Sequence, residues 1–151
     1  MGMRTEGSEW VLRSALEESG QRYTEQRAAV FGFLRSTDTH PSADEVFLAV
    51  RKDLPGISLA TVYKSLETLV GCGLAVKLTY SDGSARYDGR TDPHHHARCL
   101  RCGTVMDVSG HLPEGQFDLL RSGTRGFVVT GYRLELSGYC PGCAPSEIPS
   151  A

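Results

Sequence analysis

No run of apolar residues in this 151-residue chain approaches the roughly 18 needed to cross a bilayer, so no membrane-spanning helix is expected. The N-terminal "MGMRTEGSEW" has none of the apolar core of a secretory leader. Gly2 follows Met1, but Glu6 stands where N-myristoylation needs Ser or Thr, so no acyl anchor is expected. The cytoplasm is the expected location. Neither sign of charge is in excess: the net charge is −2 at pH 7, and composition alone indicates no nucleic-acid partner. Internal repeats and low-complexity segments are missing too. Cysteine is scarce at first, with Cys72 alone before residue 89.

What is present suits a folded chain, with 40% hydrophobic and 23% charged residues. Composition changes near residue 89. Four of the five cysteines and four of the five histidines lie beyond it. The segment "GRTDP" (89–93) is short, polar and ends in Pro, and reads as a hinge between a domain over 1–88 and another over 94–151.

The first domain reads as helical. "SEWVLRSALEESG" (8–20) sets Val11, Leu12, Ala15 and Leu16 on one face and stops at Gly20. "TEQRAAVFGFLRST" (24–37) starts at a Thr24 cap. "SADEVFLAVRKDL" (42–54) opens with a Ser42-x-x-Glu45 capping box. "SLATVYKSLETLVGCG" (58–73) has Ser58 as its cap and Leu59, Val62, Leu66 and Leu69 as a core face. Its other face carries Thr61, Lys64, Ser65 and Thr68, with Tyr63 at the flank. "LAVKLTY" (74–80) and "ARYD" (85–88), joined by "SDGS", then read as a hairpin. Helix, turn, helix and hairpin is the order of a winged helix-turn-helix, whose second helix enters the major groove of DNA.

In the second half, "HHHARC" and "TVMDV" read as strands around a Cys-x-x-Cys-Gly turn. "PEGQFDLLRS" (113–122) reads as a helix and "FVVTGYRLELSGYC" (127–140) as a β-rich run. The fold class is therefore α+β: an N-terminal winged helix-turn-helix domain followed by a small α/β domain. That second domain is too small for a large core, and a metal staple would suit it.

Cys99-x-x-Cys102 and Cys140-x-x-Cys143 are separated by 37 residues. Two such turns brought together make a closed tetrahedral cage of four thiolates, which zinc favours. Gly103 and Gly142 would ease the turns. Two disulfides, or surface thiols, are the alternatives. A complete set of four ligands leaves no open position, so such a zinc is structural and not catalytic. Cys72, between two glycines at a helix end, reads as a small semi-buried residue.

If 94–99 is a strand, His94 and His96 share one face while His95 and Cys99 share the other. That parity separates two sites. His94 and His96 make a bidentate pair, with Asp107 on the answering strand and Asp88 just before the hinge. Two histidines with carboxylates suit Fe(II) or Mn(II), with zinc as a competitor. Polar loop histidines are the alternative. Taken alone, His40 reads as a turn residue, and His95 and His111 are assigned no ligand role.

The motifs "TEQR", "HPSADEVF", "SLATVYKSLETL", "RYD", "HHHARCLRCG", "MD" and "CPGC", in this order, resemble the ferric uptake regulator family from about Tyr23 to Cys143. The resemblance implies a homodimer with an N-terminal winged-helix DNA-binding domain and a C-terminal dimerisation domain. It implies one structural Zn2+ per subunit on Cys99, Cys102, Cys140 and Cys143. It also implies one regulatory Fe2+ or Mn2+ per subunit on His40, Asp88, His94, His96 and Asp107, which raises His40 from turn residue to ligand. Tyr63 matches a base-contacting tyrosine, and Ser58, Thr61 and Lys64 are the expected DNA-facing neighbours. Asp at the last regulatory position, and the run "LTYSDGSARYD", resemble the peroxide-sensing branch. One departure stands out. Members with a third metal site use a histidine in the strand before the last Cys pair, and here the stretch is "VVTGYRLEL".

The expected function is a metal-dependent repressor of operator DNA, palindromic in form, that senses peroxide through oxidation of His40 and His94. The alternative is a manganese- or iron-responsive regulator of metal uptake without peroxide sensing. Residues 1–88 hold 10 Lys/Arg and 12 Asp/Glu, a net −2, acidic for a DNA-binding domain. Local positives at Arg22, Arg27, Lys64 and Lys77 would serve instead. An enzyme is not expected. The zinc-deaminase signature needs His-x-Glu and Pro-Cys-x-x-Cys, and neither occurs.

Overall fold

The computed structural model describes residues 3–146, with side chains from residue 7 onward. The Met1–Gly2 start of the acylation frame and the last residues of the expected second domain, 147–151, lie outside these. The chain divides into two compact units between Asp92 and Pro93.

The first unit contains α1 (Met3–Glu18), α2 (Glu25–Ser36), α3 (Ala43–Val50), α4 (Leu59–Gly71), β1 (Val76–Thr79) and β2 (Ala85–Asp88). Its helix ends follow local chemistry. Thr24 caps α2 by accepting from the Arg27 N–H, and Ser58 caps α4 by accepting from the Thr61 N–H. At α3 the Ser42–Glu45 box closes in both directions. Gly20, at φ +67°, lets the chain leave α1, and the Gln21 N–H then donates to the Leu16 carbonyl at 2.7 Å. The core joins Leu12 and Leu16 of α1, Val30 and Leu34 of α2, Val46 of α3, and Leu66 and Leu69 of α4. Each such side chain contributes about 1.5–3 kcal/mol on burial. Tyr87 of β2, 1% exposed, closes this core from the hairpin side.

Two expectations change here. The third helix ends at Val50, so Leu54 sits in the following turn, its N–H donating to the Val50 carbonyl at 3.0 Å. Ser65, read as part of the polar face of α4, is buried. Arg27 of α2 is buried as well. Its guanidinium donates to the Arg22 carbonyl, to Gln21 Oε1 and to Thr68 Oγ1, so the polar stripe of α4 is partly covered by α2.

The second unit contains β3 (His95–Cys99), β4 (Val105–Val108), α5 (Glu114–Ser122) and β5 (Glu135–Gly138). The sheet order is β4-β3-β5, with β3 antiparallel to β4 and parallel to β5. Among its described residues only His96, Cys99 and Val105 are buried, and α5 buries none of its residues. The β-rich run expected over 127–140 shrinks to the four residues of β5. Phe127 and Val128 are 73% and 83% exposed, so their alternating pattern has no strand or core within this unit to pair with.

Candidate metal centres

The parallel pairing of β3 with β5 places Cys99 opposite Gly138, two residues before Cys140. The Leu100 N–H donates to the Gly138 carbonyl at 2.7 Å and holds the two Cys-x-x-Cys turns at one end of the sheet. Within the first turn the Gly103 N–H donates to the Cys99 carbonyl, and Gly103 adopts φ +75°, where a side chain would be strained. Gly142 has no such requirement: a Cβ there would meet Cys140 Sγ at 4.0 Å, an ordinary contact. The second turn closes by the Cys143 and Ala144 N–H groups donating to the Cys140 carbonyl.

The four sulfurs lie within 4.8 Å of one another, and Cys102 Sγ is 3.8 Å from Cys140 Sγ. A tetrahedron with zinc–sulfur bonds of about 2.3 Å has edges of about 3.8 Å, so the spacing fits zinc rather than the roughly 2.05 Å of a disulfide. Protonation tells the same story. The Cys102 and Cys140 backbone amides lower the Cys99 thiol to about 6. The Thr104 hydroxyl, 3.1 Å from Cys102 Sγ, lowers Cys102. Cys143 is pushed up to about 12, first by its hydrogen bond with Cys140, then by burial and the other sulfurs. Three sulfurs crowd the fourth, and a cation among them would favour its thiolate.

The histidines and carboxylates fall into two half-sets. In the first unit, His40 lies in the loop between α2 and α3, and Asp88 is the last residue of β2. His40 Nε2 is 3.2 Å from Asp88 Oδ2, with both side chains buried. The Arg90 N–H donates to Asp88 Oδ1 at 2.8 Å, so the two carboxylate oxygens face different partners. In the second unit, His96 stands opposite Asp107 in the β3–β4 register. Asp107 Oδ1 is 3.1 Å from His94 Nε2 and 3.6 Å from His96 Nε2, and the two rings lie 4.5 Å apart. His95 points elsewhere: it stacks on Tyr132, and its Nδ1 accepts from the Leu134 N–H at 3.1 Å. The parity expected of residues 94–99 is present, and Tyr132 accounts for the middle histidine.

On α4, Tyr63 and Lys64 are exposed, while the Ser58 and Thr61 hydroxyls hydrogen-bond each other at 2.9 Å. Of the basic residues expected to face DNA, Arg27 is committed inside the fold. Lys77 is paired with Glu67 at 2.8 Å. Sequence reasoning missed Arg86, whose Nη1 donates to the His40 carbonyl at 2.9 Å, and Thr104, which lies against Cys102 Sγ. Each lies within two residues of a candidate ligand, and that adjacency was the available signal.

The profile described as "Ferric uptake regulator family" matches residues 18–137. The chain belongs to the ferric uptake regulator family. As a member it is a metal-responsive regulator and not an enzyme. It is 37% identical over 131 residues to the peroxide-responsive repressor PerR of Staphylococcus aureus strain USA300, covering 86% of this chain and 87% of that protein. Among solved structures, the ferric uptake regulator Fur of Helicobacter pylori superposes with a TM-score of 0.78 at 23% identity, covering 95% of this chain and 96% of the other, which supports the fold. A zinc-bound manganese uptake regulator matches with a TM-score of 0.65 at 30% identity, over 85% of this chain and 98% of that one. Among the described residues no helix is long and apolar enough to cross a membrane.

Proposed function

We propose that this protein is a cytoplasmic, homodimeric, metal-dependent repressor that binds palindromic operator DNA and senses peroxide. The observation that carries the peroxide reading is the 37% identity to a peroxide-responsive repressor over most of both chains. It is joined by Asp107 in the last regulatory position, in contact with His94 and His96.

Zinc would be held by Cys99, Cys102, Cys140 and Cys143, and would supply the folding energy that the sparse core of the second unit lacks. His40 and Asp88 would offer one half-site, and His94, His96 and Asp107 the other, for one Fe(II) or Mn(II). Residues 89–93 would be the hinge between them. By engaging both half-sites at once, these five side chains would restrict the hinge and select one placement of the two α4 helices. Moving such an equilibrium from mostly open to mostly closed takes about 5.5 kcal/mol of preference for the closed form. Tyr63 and Lys64 would then reach base edges and phosphates, while Ser58 and Thr61 secure the start of α4.

Iron(II), when bound, would supply reduction chemistry toward hydrogen peroxide that manganese(II) does not. His40 and His94 are the expected targets. Each would gain one oxygen atom from one peroxide, with one water released, and an oxidised ring is a poorer donor. The test is a DNA-binding assay with Fe(II)- or Mn(II)-loaded protein, before and after H2O2. Loss of binding with iron only, together with one added oxygen on His40 or His94 by mass spectrometry, is the expected result. Retention of DNA by the iron form, with unmodified histidines, sinks peroxide sensing.

The 30% identity to a manganese uptake regulator favours a second reading, in which the same site reports metal supply alone. It predicts that Mn(II) and Fe(II) forms bind operator equally and that peroxide changes neither.

A further inference from the structure

We infer that Arg86 is a positioning residue for the His40/Asp88 half-site, and that it ties this half-site to the capping box of α3. The inference rests on the regulatory-metal reading above. His40 and Asp88 come from different elements, a loop and a strand end, so something must hold the loop to the strand. The Tyr87 N–H donates to the Pro41 carbonyl at 2.9 Å, a single bond beside His40. Arg86 adds a second anchor: Nη1 donates to the His40 carbonyl at 2.9 Å and to Glu45 Oε2 at 3.2 Å.

That Glu45 oxygen also accepts the Ser42 N–H at 2.7 Å, the reciprocal half of the α3 capping box. One guanidinium thus joins the backbone of a proposed ligand residue to the helix whose N-cap lies two residues later. A planar fork can serve two acceptors in fixed directions, which an ammonium cannot do equally well. The other end of β2 is fixed independently. A Cβ on Gly89 would lie 2.5 Å from the Leu34 carbonyl oxygen, so the backbone after Asp88 is seated directly on the end of α2. With Asp88 held there, Arg86 acts together with the Tyr87–Pro41 bond to fix where His40 sits. Outer partners that orient metal ligands are worth about 10–100-fold in metal affinity.

The experiment is an Mn(II) titration of the zinc-loaded full chain, with zinc content and melting temperature measured alongside. Arg86→Met is expected to weaken Mn(II) binding about 10–100-fold with zinc still bound. Arg86→Lys is expected to recover part of the loss. A purely structural role would lower the melting temperature of the metal-free form and leave Mn(II) affinity unchanged. Glu45→Gln, at a half-exposed carboxylate, carries the test if Arg86→Met does not fold, and is expected to weaken Mn(II) in the same direction. Unchanged Mn(II) affinity in the folded variants overturns the positioning role. His40→Ala reports on the underlying reading. Retained affinity there overturns the regulatory site itself, whereas loss there with wild-type affinity in Arg86→Met overturns the positioning role alone.

Discussion

His96 and Cys99 stand three residues apart on β3 and belong to different clusters of metal-ligating side chains. The single-residue predictions separate them. Cys99→Ser should lose zinc and most of the order of the second unit, because structural zinc sites are worth on the order of 10 kcal/mol. His94→Ala should keep zinc, and lose the second metal and metal-dependent DNA binding. Metal analysis of both purified variants checks this, and a single metal lost in both would sink the two-centre description. At this scale the sequence was informative wherever spacing decides chemistry. Cys-x-x-Cys forces two sulfurs onto one turn, and strand parity separates His94 and His96 from His95. It was silent where a distant element decides. Nothing local to Arg27 says that Thr68, 41 residues away, will accept its guanidinium. Likewise, nothing around Gly142 tells it apart from Gly103, yet only Gly103 adopts a left-handed conformation.

Elements are joined by small polar ties, and the one between α4 and the hairpin is testable. Glu67 of α4 accepts from Lys77 of β1 at 2.8 Å and from the Tyr87 hydroxyl of β2 at 3.2 Å. The Lys77 hydrogen bond holds the Glu67 carboxyl below its ordinary 4.5, and the Glu67 bond holds Lys77 above 10.5. Burial raises the Tyr87 phenol. A depressed carboxyl stabilises the fold above pH 4.5, and that contribution is lost as pH falls through its folded value. A raised amine stabilises below pH 10.5, with loss as pH rises through its folded value. The pair is partly exposed, so Glu67→Gln should cost less than about 1 kcal/mol at pH 7. Denaturant midpoints should show that difference between these limits and convergence of the two proteins in acid. Element identity was legible because caps and periodicity are local. The length of β5 was not, since a strand extends only as far as a partner exists to bond it.

For the molecule as a whole, the apolar residues without a cover are informative. Leu119, Leu120, Phe127 and Val128 are each more than 60% exposed, all in the unit proposed to dimerise. Phe127→Asp should shift the protein toward monomer in light-scattering measurements and weaken operator binding. An unchanged dimer would place the interface elsewhere. Arg27 is buried within the fold and Lys77 is paired with Glu67, which leaves two fewer of the expected cations to meet phosphates. The salt dependence of DNA binding should therefore be shallow, with fewer than about ten phosphate contacts per dimer. A steeper slope would mean that basic surface has been undercounted. The net charge of residues 1–88 leads to the same expectation. Which cations are internally spent is a property of the folded state alone.

The five-residue strand β3 has a further consequence. It carries His96 near one end and Cys99 at the other, and few buried side chains elsewhere in its unit hold it straight. If zinc secures the cysteine end, the histidine end acquires its geometry only afterwards. Assembly then has an order: a newly made chain is blind to iron until its thiols are filled. Zinc scarcity would not merely weaken such a protein. It would silence its reading of a different metal altogether.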